Sequence, residues 1–343
     1  MVAAAFLSMW VSNTATAIMM MPIGLAIILE MEKDFGEEDT HAFSVGTMLG
    51  IAYACSIGGI ATLVGTPPNL SLARIFQITF PDAPPLVFGQ WMVMALPISI
   101  VMLVTAWLLI TKVFFRVPEH VTVDQTVVEG QTKALGPVAY EEKAVLVVFA
   151  LTAFLWVFRL PLQLGVITIP GWSQLLPFPD LIDDGTVAIA MAGILFLIPT
   201  RTPGAVAPTL AGRDIIPRLP WNIVLLFGGG FALAYGFQVT GLSILIGNAF
   251  AGLAGVPPFI LILMVCLSIT FLTELTSNTA TTEMILPILA SVAVATNVHP
   301  LLLMIPATLS TSCAFMMPVA TPPNAIVFGS GHVPQRVMIR AGM

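Results

Sequence analysis

The sequence predicts an all-α polytopic membrane protein, an inverted repeat with two re-entrant helical hairpins and two broken transmembrane helices. Three observations predict it: an apolar composition, a duplicated pair of polar motifs, and a one-sided distribution of Lys and Arg. Of 343 residues, 57% are hydrophobic and only 9% are charged, against about a quarter charged in a soluble domain. Such a chain has lipid as its solvent. The net charge of −6 carries no further message, because the ionised residues fall in the connections.

Apolar runs of the length a helix needs to cross a bilayer fall at 43–64, 91–115, 144–158, 186–199, 221–246, 258–295 and 301–328. Cys55, Cys266 and Cys313 lie inside such runs with neither disulfide nor metal spacing, and read as helix-packing thiols. Met1 opens into Val-Ala-Ala-Ala-Phe-Leu without the basic region of a secretory signal, and the chain stops at Arg340-Ala-Gly-Met343 after a short polar connection. The sequence therefore reads as a piece of a longer membrane protein.

The repeat is visible without gaps. Phe6 to Ile23 aligns on Phe271 to Ile288 with ten of eighteen positions identical, including Ser-Asn-Thr-Ala-Thr at 12–16 and 277–281. Gly65-Thr-Pro-Pro-Asn69 follows the first copy and Ala320-Thr-Pro-Pro-Asn324 the second. If each Ser-Asn-Thr segment enters and leaves on one face, one side receives Lys33, Lys112, Arg116, Lys133, Lys143, Arg201, Arg213, Arg218, Arg336 and Arg340. The other receives Arg159 alone, and Arg74 lies within a membrane segment. Basic residues prefer cytoplasmic loops, so the Ser12 hairpin is expected to open to the cytoplasm and the Ser277 hairpin to the opposite face.

Polar tips at membrane depth are costly unless they line a cavity or are buried in protein. A hairpin tip ends one helix and starts another, exposing carbonyls and N–H groups together. The helices starting near Asn13 and Asn278 aim free N–H groups and positive dipole ends at an anion, while the carbonyl, Ser and Asn oxygens suit a hard monovalent cation such as Na⁺. Thr-Pro-Pro forces the crossing helix to unwind, since proline donates no N–H and the residue before it avoids helical geometry. Gly65 and Ala320 leave room for a close backbone approach there.

These residues resemble the divalent anion/sodium symporter family, the INDY-like di- and tricarboxylate carriers, over nearly the whole chain. The motifs that carry the resemblance are Gly58-Gly-Ile-Ala-Thr-Leu-Val-Gly-Thr-Pro-Pro-Asn69, Thr273-Glu-Leu-Thr-Ser-Asn-Thr279 and the paired Ser-Asn-Thr tips. The resemblance implies one Na⁺ site from Ser8, Ser12, Asn13 and the Gly65 carbonyl, and another from Thr273, Asn278 and the carbonyls of Thr276 and Ala320. It implies that an anion's carboxylates are held by Ser12, Asn13 and Thr14 against Ser277, Asn278 and Thr279, closed by Thr66, Pro67, Thr321 and Pro322. Further helices before the first hairpin and one after the second broken helix are features of the family that this chain lacks. A homodimer with an elevator motion is also implied. Residues 1–80 and 258–328 would then form the transport domain, 81–257 the scaffold and connecting helices, and 329–343 a truncated C-terminal connection.

The remaining polar features carry blander readings. Glu274 and Glu283 flank the second tip, and Glu274 is expected to satisfy local donors. Gly228-Gly-Gly230 lacks the Lys-Ser or Lys-Thr of a phosphate loop and reads as close helix packing. His41, His120, His299 and His332, and the acidic runs 30–39 and 180–184, read as solvated surface. The 116–143 stretch reads as a cytoplasmic connection lying along the interface.

The function expected is secondary active transport of a succinate-, malate- or fumarate-class divalent anion coupled to Na⁺. A Na⁺-independent exchanger or a sulfate carrier on the same fold is the alternative. A membrane-embedded enzyme is disfavoured by the lack of HExxH, Gly-x-Ser-x-Gly or paired catalytic carboxylates. Expected partners are a small anion, the lipid bilayer of a bacterial inner membrane and a second copy in the full-length protein, with no nucleic acid and no organic cofactor.

Overall fold

The computed structural model describes residues 1–343 apart from 117–135, 166, 202–207, 251 and 253–254. Most of the connection expected at 116–143, with His120 and Lys133, lies outside the described residues. The fold is all-α. In the first repeat α1 (Val2–Ser8) and α2 (Asn13–Phe35) form a hairpin, and α3 (Glu37–Ile60) and α4 (Pro67–Thr79) are the halves of a broken helix. Then come α5 (Phe88–Leu108), prolonged by a π-helical turn at Leu109–Phe114, α6 (Tyr140–Val157), the short strands β1 (Leu162–Leu164) and β2 (Ile167–Ile169), α7 (Asp184–Leu195), α8 (Trp221–Val239) and α9 (Leu242–Ala249). The second repeat mirrors the first: α10 (Pro258–Thr273) and α11 (Asn278–Ala295), then α12 (Pro300–Thr311) and α13 (Pro322–Gly329), followed by α14 (Gln335–Gly342).

Five described helices are long and apolar enough to cross a membrane: Asn13–Phe35, Glu37–Ile60, Phe88–Phe114, Trp221–Val239 and Asn278–Ala295. The apolar run at 258–295 resolves into two helices that meet at Ser-Asn-Thr. At about 1.5 Å per residue, α4 and α13 are too short to span alone. Their starts are set by sequence: Thr66 (φ −142, ψ 140) and Thr321 (φ −138, ψ 150) are both extended, with the Pro-Pro pair as the first helical residues.

The chain divides into two compact units. One comprises 1–85, 95–124 and 225–343, and the other 86–94 and 125–224. In the first, α3 is the central element, buried along most of its length and packed against α1 and α2. The repeats also exchange partners: α4 lies along α11 and α12, while α13 lies along α2 and α3.

Both cross-repeat pairs run parallel. Ser71, four residues after Pro67, touches Glu283, five after Asn278. At the other end of the same pair, Thr79 lines a groove with Ala290, Ser291 and Ala295. Likewise Ile326 packs against the cluster holding Ala17, and past the end of α13 His332 Nε2 lies 3.7 Å from Glu32 Oε1 near the end of α2. Each parallel pair therefore starts at one level.

In the second unit α6 packs on α7. Arg159, buried, donates from Nε to Asp184 Oδ1 at 2.5 Å and from Nη1 to the Ile182 carbonyl at 2.7 Å. Asp184 is thus an ion-pair partner rather than part of a solvated acidic face. Asp183 caps α7 by accepting from Thr186 N at 2.7 Å, and the Thr186 hydrogen bonds hold its carboxyl below the usual carboxylate range. His332 likewise departs from the solvated reading: half-buried, it lies with Nδ1 3.1 Å from the Ser330 carbonyl and faces Glu32.

Candidate functional site: two hairpin tips and two helix breaks

Ser12 and Ser277 are the N-caps of α2 and α11, so Asn13 and Asn278 are their first helical residues. The Ser12 hydroxyl accepts from Ala15 N at 3.3 Å, as an N-cap serine does. Thr14 and Thr279 sit in the first turns, half-buried.

The first tip is drawn against the end of α3. Ser8 Oγ, fully buried, lies 2.6 Å from Asn13 Oδ1 and 2.7 Å from the Cys55 carbonyl oxygen, and the Thr62 hydroxyl donates to the Met9 carbonyl at 2.5 Å. Glycines permit the approach. A Cβ on Gly58 would strike the Ala5 backbone, one on Gly59 the Asn13 amide, and one on Gly65 the Gly59 backbone.

Four oxygens gather here. The Asn13 amide head is within 2.6 Å of Ser8 Oγ, 3.1 Å of the Cys55 carbonyl and 3.2 Å of the Gly65 carbonyl. With its nitrogen turned inward it donates to these oxygens; with its oxygen inward it completes a four-oxygen cluster suited to a hard monovalent cation. Ser8, Asn13 and Gly65 are thus brought together as the sequence expects. Ser12 instead directs its hydroxyl to its own helix.

The second tip repeats the pattern. Thr273 Oγ1, also fully buried, lies 2.7 Å from Asn278 Oδ1 and 3.0 Å from the Thr311 carbonyl. Thr282 donates to the Asn278 carbonyl at 2.7 Å and to Thr311 Oγ1 at 3.0 Å. Thr276 turns its hydroxyl to the Leu272 carbonyl at 3.0 Å and to Thr281 Oγ1 at 2.6 Å. Ala320 N donates to the Met317 carbonyl at 3.2 Å, and Thr321 caps α13 by accepting from Asn324 N at 3.3 Å. Thr66 and Thr321 are buried immediately before Pro67 and Pro322.

Sequence reasoning passed over four contributors. The Cys55 and Thr311 carbonyls come from helix ends that no motif marks. Asn69 and Asn324 were visible as the last residue of each Thr-Pro-Pro-Asn, and their role is to recap broken helices. Asn69 Nδ2 donates to the carbonyls of Gly59 (3.3 Å), Ile60 (3.3 Å) and Thr62 (2.7 Å), and Asn324 Nδ2 to those of Ala314 and Met317 (both 3.0 Å). Glu274 does satisfy local donors: its carboxylate accepts from the N–H groups of Phe315 (2.7 Å), Met316 (2.9 Å) and Met317 (2.8 Å).

Through Asn13 and Gly65 the start of α2 meets the approach to α4. The parallel packing then sets α11 level with α4, and α13 level with α2. Four helix N-termini consequently gather in one region, each worth roughly half a positive charge. Among residues 8–14, 59–69, 273–281 and 312–324 the only charged side chain is Glu274, and its oxygens are engaged by backbone N–H groups.

The fold and this centre define an all-α, inverted-repeat membrane protein whose polar middle is made of helix ends. The chain belongs to the sodium:sulfate symporter family: the model of that family's transmembrane region matches residues 1–343, in line with the family resemblance drawn from the Ser-Asn-Thr and Thr-Pro-Pro motifs. It is 41% identical over 347 aligned residues to the sodium-dependent dicarboxylate transporter SdcS of Staphylococcus saprophyticus, covering 100% of this chain and 64% of that protein. To SdcS of Staphylococcus aureus strain NCTC 8325 it is 40% identical with the same coverage. The chain therefore spans just under two thirds of the length of these relatives.

Proposed function

We propose that the full-length protein is a secondary active transporter that moves a dicarboxylate-type divalent anion across the membrane coupled to Na⁺. The gathering of four helix N-termini around uncharged Ser-Asn-Thr tips carries this reading. Free N–H groups and hydroxyls take up carboxylate oxygens without a fixed cation, so the anion's charge is left to be balanced by ions that travel with it. The oxygen clusters at Ser8, Asn13, Cys55 and Gly65 and at Thr273, Asn278 and Thr311 are the places for those ions. The dicarboxylate named for the SdcS relatives, and their sodium dependence, support the same assignment.

In this reading Ser12, Asn13 and Thr14 hold one carboxylate and Ser277, Asn278 and Thr279 the other, with Thr66-Pro67 and Thr321-Pro322 closing the site. Na⁺ draws the Asn13 amide oxygen inward, which fixes the tip for the anion. Residues 1–80 and 258–328 move as a transport domain against 81–257, in a homodimer of the bacterial inner membrane, with the Ser12 hairpin opening to the cytoplasm. Sulfate is the second reading, favoured by the family's description.

The test is uptake by full-length protein in proteoliposomes. Succinate entry is expected to require an inward Na⁺ gradient and to be competed by malate and fumarate more strongly than by sulfate. Entry indifferent to Na⁺ would overturn the coupling, and sulfate competing at equal concentration would overturn the substrate class.

A further inference from the structure

Glu283 has no part in the scheme above, and its surroundings are those of a site. It stands in α11 where the first repeat has Ile18, so the duplication does not supply it. Its side chain is 3% exposed. One oxygen, Oε1, is in short contact with the hydroxyl of Ser71 on α4, and Ser71 itself is fully buried. The other, Oε2, is buried without a hydrogen-bond partner. It lies against Gly230 of α8, where a Cβ would collide with the carboxyl group. Gly230 is thereby the one glycine of Gly228-Gly-Gly230 whose missing side chain is explained: it makes room for an acid.

Among the described residues no basic group forms an ion pair with this acid. The titratable and charged side chains on α4, α8, α9, α10 and α12, among the described residues, are Arg74, Tyr235 and Cys266. Arg74 is exposed and donates to Gln77 Oε1 at 3.2 Å; Tyr235 is 62% exposed; Cys266 is a half-buried thiol on α10. An ionised carboxylate with an unpartnered oxygen among packed helices is among the most costly groups a membrane protein can hold, whereas a neutral acid leaves only a carbonyl oxygen unpaired. Na⁺ would need several oxygens around it, and among the described residues Ser71 Oγ is the one side-chain oxygen hydrogen-bonded to this carboxyl group.

We propose that Glu283 is a proton-binding site: the carboxyl carries a proton on Oε1 and donates it to Ser71 Oγ, leaving Oε2 as the carbonyl oxygen against Gly230. The bond joins the broken helix of the first repeat to the hairpin helix of the second; Ser71 can still donate to an ionised Glu283, but Oε2 is then a buried charge without a partner. Ionisation releases the proton to water and requires Glu283 to leave Gly230. In the transport reading, that places proton release at the step in which α11 slides past α8.

Infrared spectroscopy of the full-length protein in lipid, without Na⁺ or anion, tests the site independently of transport. A carboxylic-acid C=O band is expected at neutral pH, lost entirely in Glu283→Gln and moved to higher frequency in Ser71→Ala, which removes the hydrogen-bond acceptor. Ser71→Ala reads the same acid should Glu283→Gln fail to fold. An unchanged acid region in both variants, or a Glu283 carboxylate band that shifts on adding Na⁺, would overturn the proposal. Uptake measurements that fail to show Na⁺ coupling would leave the band, and the proton site, untouched.

Discussion

In the first repeat the helix break occupies 61–66 and closes on a hydroxyl and two glycines, whereas in the second it occupies 312–321 and closes on the Glu274 carboxylate. The inner contacts are otherwise alike: Ser8 matches Thr273, Asn13 matches Asn278, and Asn69 matches Asn324 as the amide that recaps the preceding helix. Where the tip has Met9, the second copy has Glu274. Where the first repeat has Gly59 at the end of α3 and Gly65 in the break, the second has Ala314 and Ala320. The short break lets two backbones touch and needs glycine; the longer one leaves three N–H groups in a row that need an anionic acceptor. Duplication kept the groups that face the centre and let the support behind them diverge.

The largest expected effect therefore separates Glu274 from its counterpart. Removing the carboxylate in Glu274→Ala strands three N–H donors, that of Met316 buried and those of Phe315 and Met317 part-buried, at a cost on the order of 3–5 kcal/mol. Met9→Ala, losing a half-buried side chain, should cost about 1 kcal/mol. Thermal unfolding of the two variants in detergent checks the ratio; equal losses would mean that the carboxylate does not hold the second break.

A smaller and opposite asymmetry concerns the glycines. Gly65→Ala places a methyl group against the Gly59 backbone, and overpacking of that kind costs about 1–3 kcal/mol. Ala320→Gly frees the backbone and removes one buried methyl group, a loss of roughly 1 kcal/mol. The same unfolding measurement decides, and a well-tolerated Gly65→Ala would show that the first break has slack.

Much of this was legible beforehand, because membrane protein folds are dictated by where polar residues sit among apolar ones. Ser-Asn-Thr and Thr-Pro-Pro-Asn mark each interruption, and the helices start at Asn13, Pro67, Asn278 and Pro322 as the capping chemistry of Ser and the geometry of proline require. What could not be read was pairing across the repeats. Nothing in a linear sequence says that α4 lies along α11, so the meeting of Ser71 with Glu283 was invisible, as were the Cys55 and Thr311 carbonyls. His332 and Asp184 were misread for the same reason: their partners, Glu32 and Arg159, are distant in sequence or hidden in a turn.

The smallest expected effect tests whether the matched contacts do equal duty at the two cation clusters. Ser8→Ala and Thr273→Val each delete one hydroxyl that touches an Asn side chain and a carbonyl of a neighbouring helix. Losing one neutral hydrogen-bonding group costs about 1 kcal/mol, which corresponds to an about fivefold higher half-saturating Na⁺ concentration for uptake at fixed succinate. The clusters differ in what remains. After Ser8→Ala the Asn13 head still has the Cys55 and Gly65 carbonyls close by, whereas Thr273 is the hydroxyl that joins the Asn278 side chain to the Thr311 carbonyl. Thr273→Val is accordingly expected to raise the half-saturating Na⁺ concentration more than Ser8→Ala, and Thr273→Ser to restore it. An equal shift in both variants would mean that the carbonyls contribute nothing and that the two hydroxyls are interchangeable.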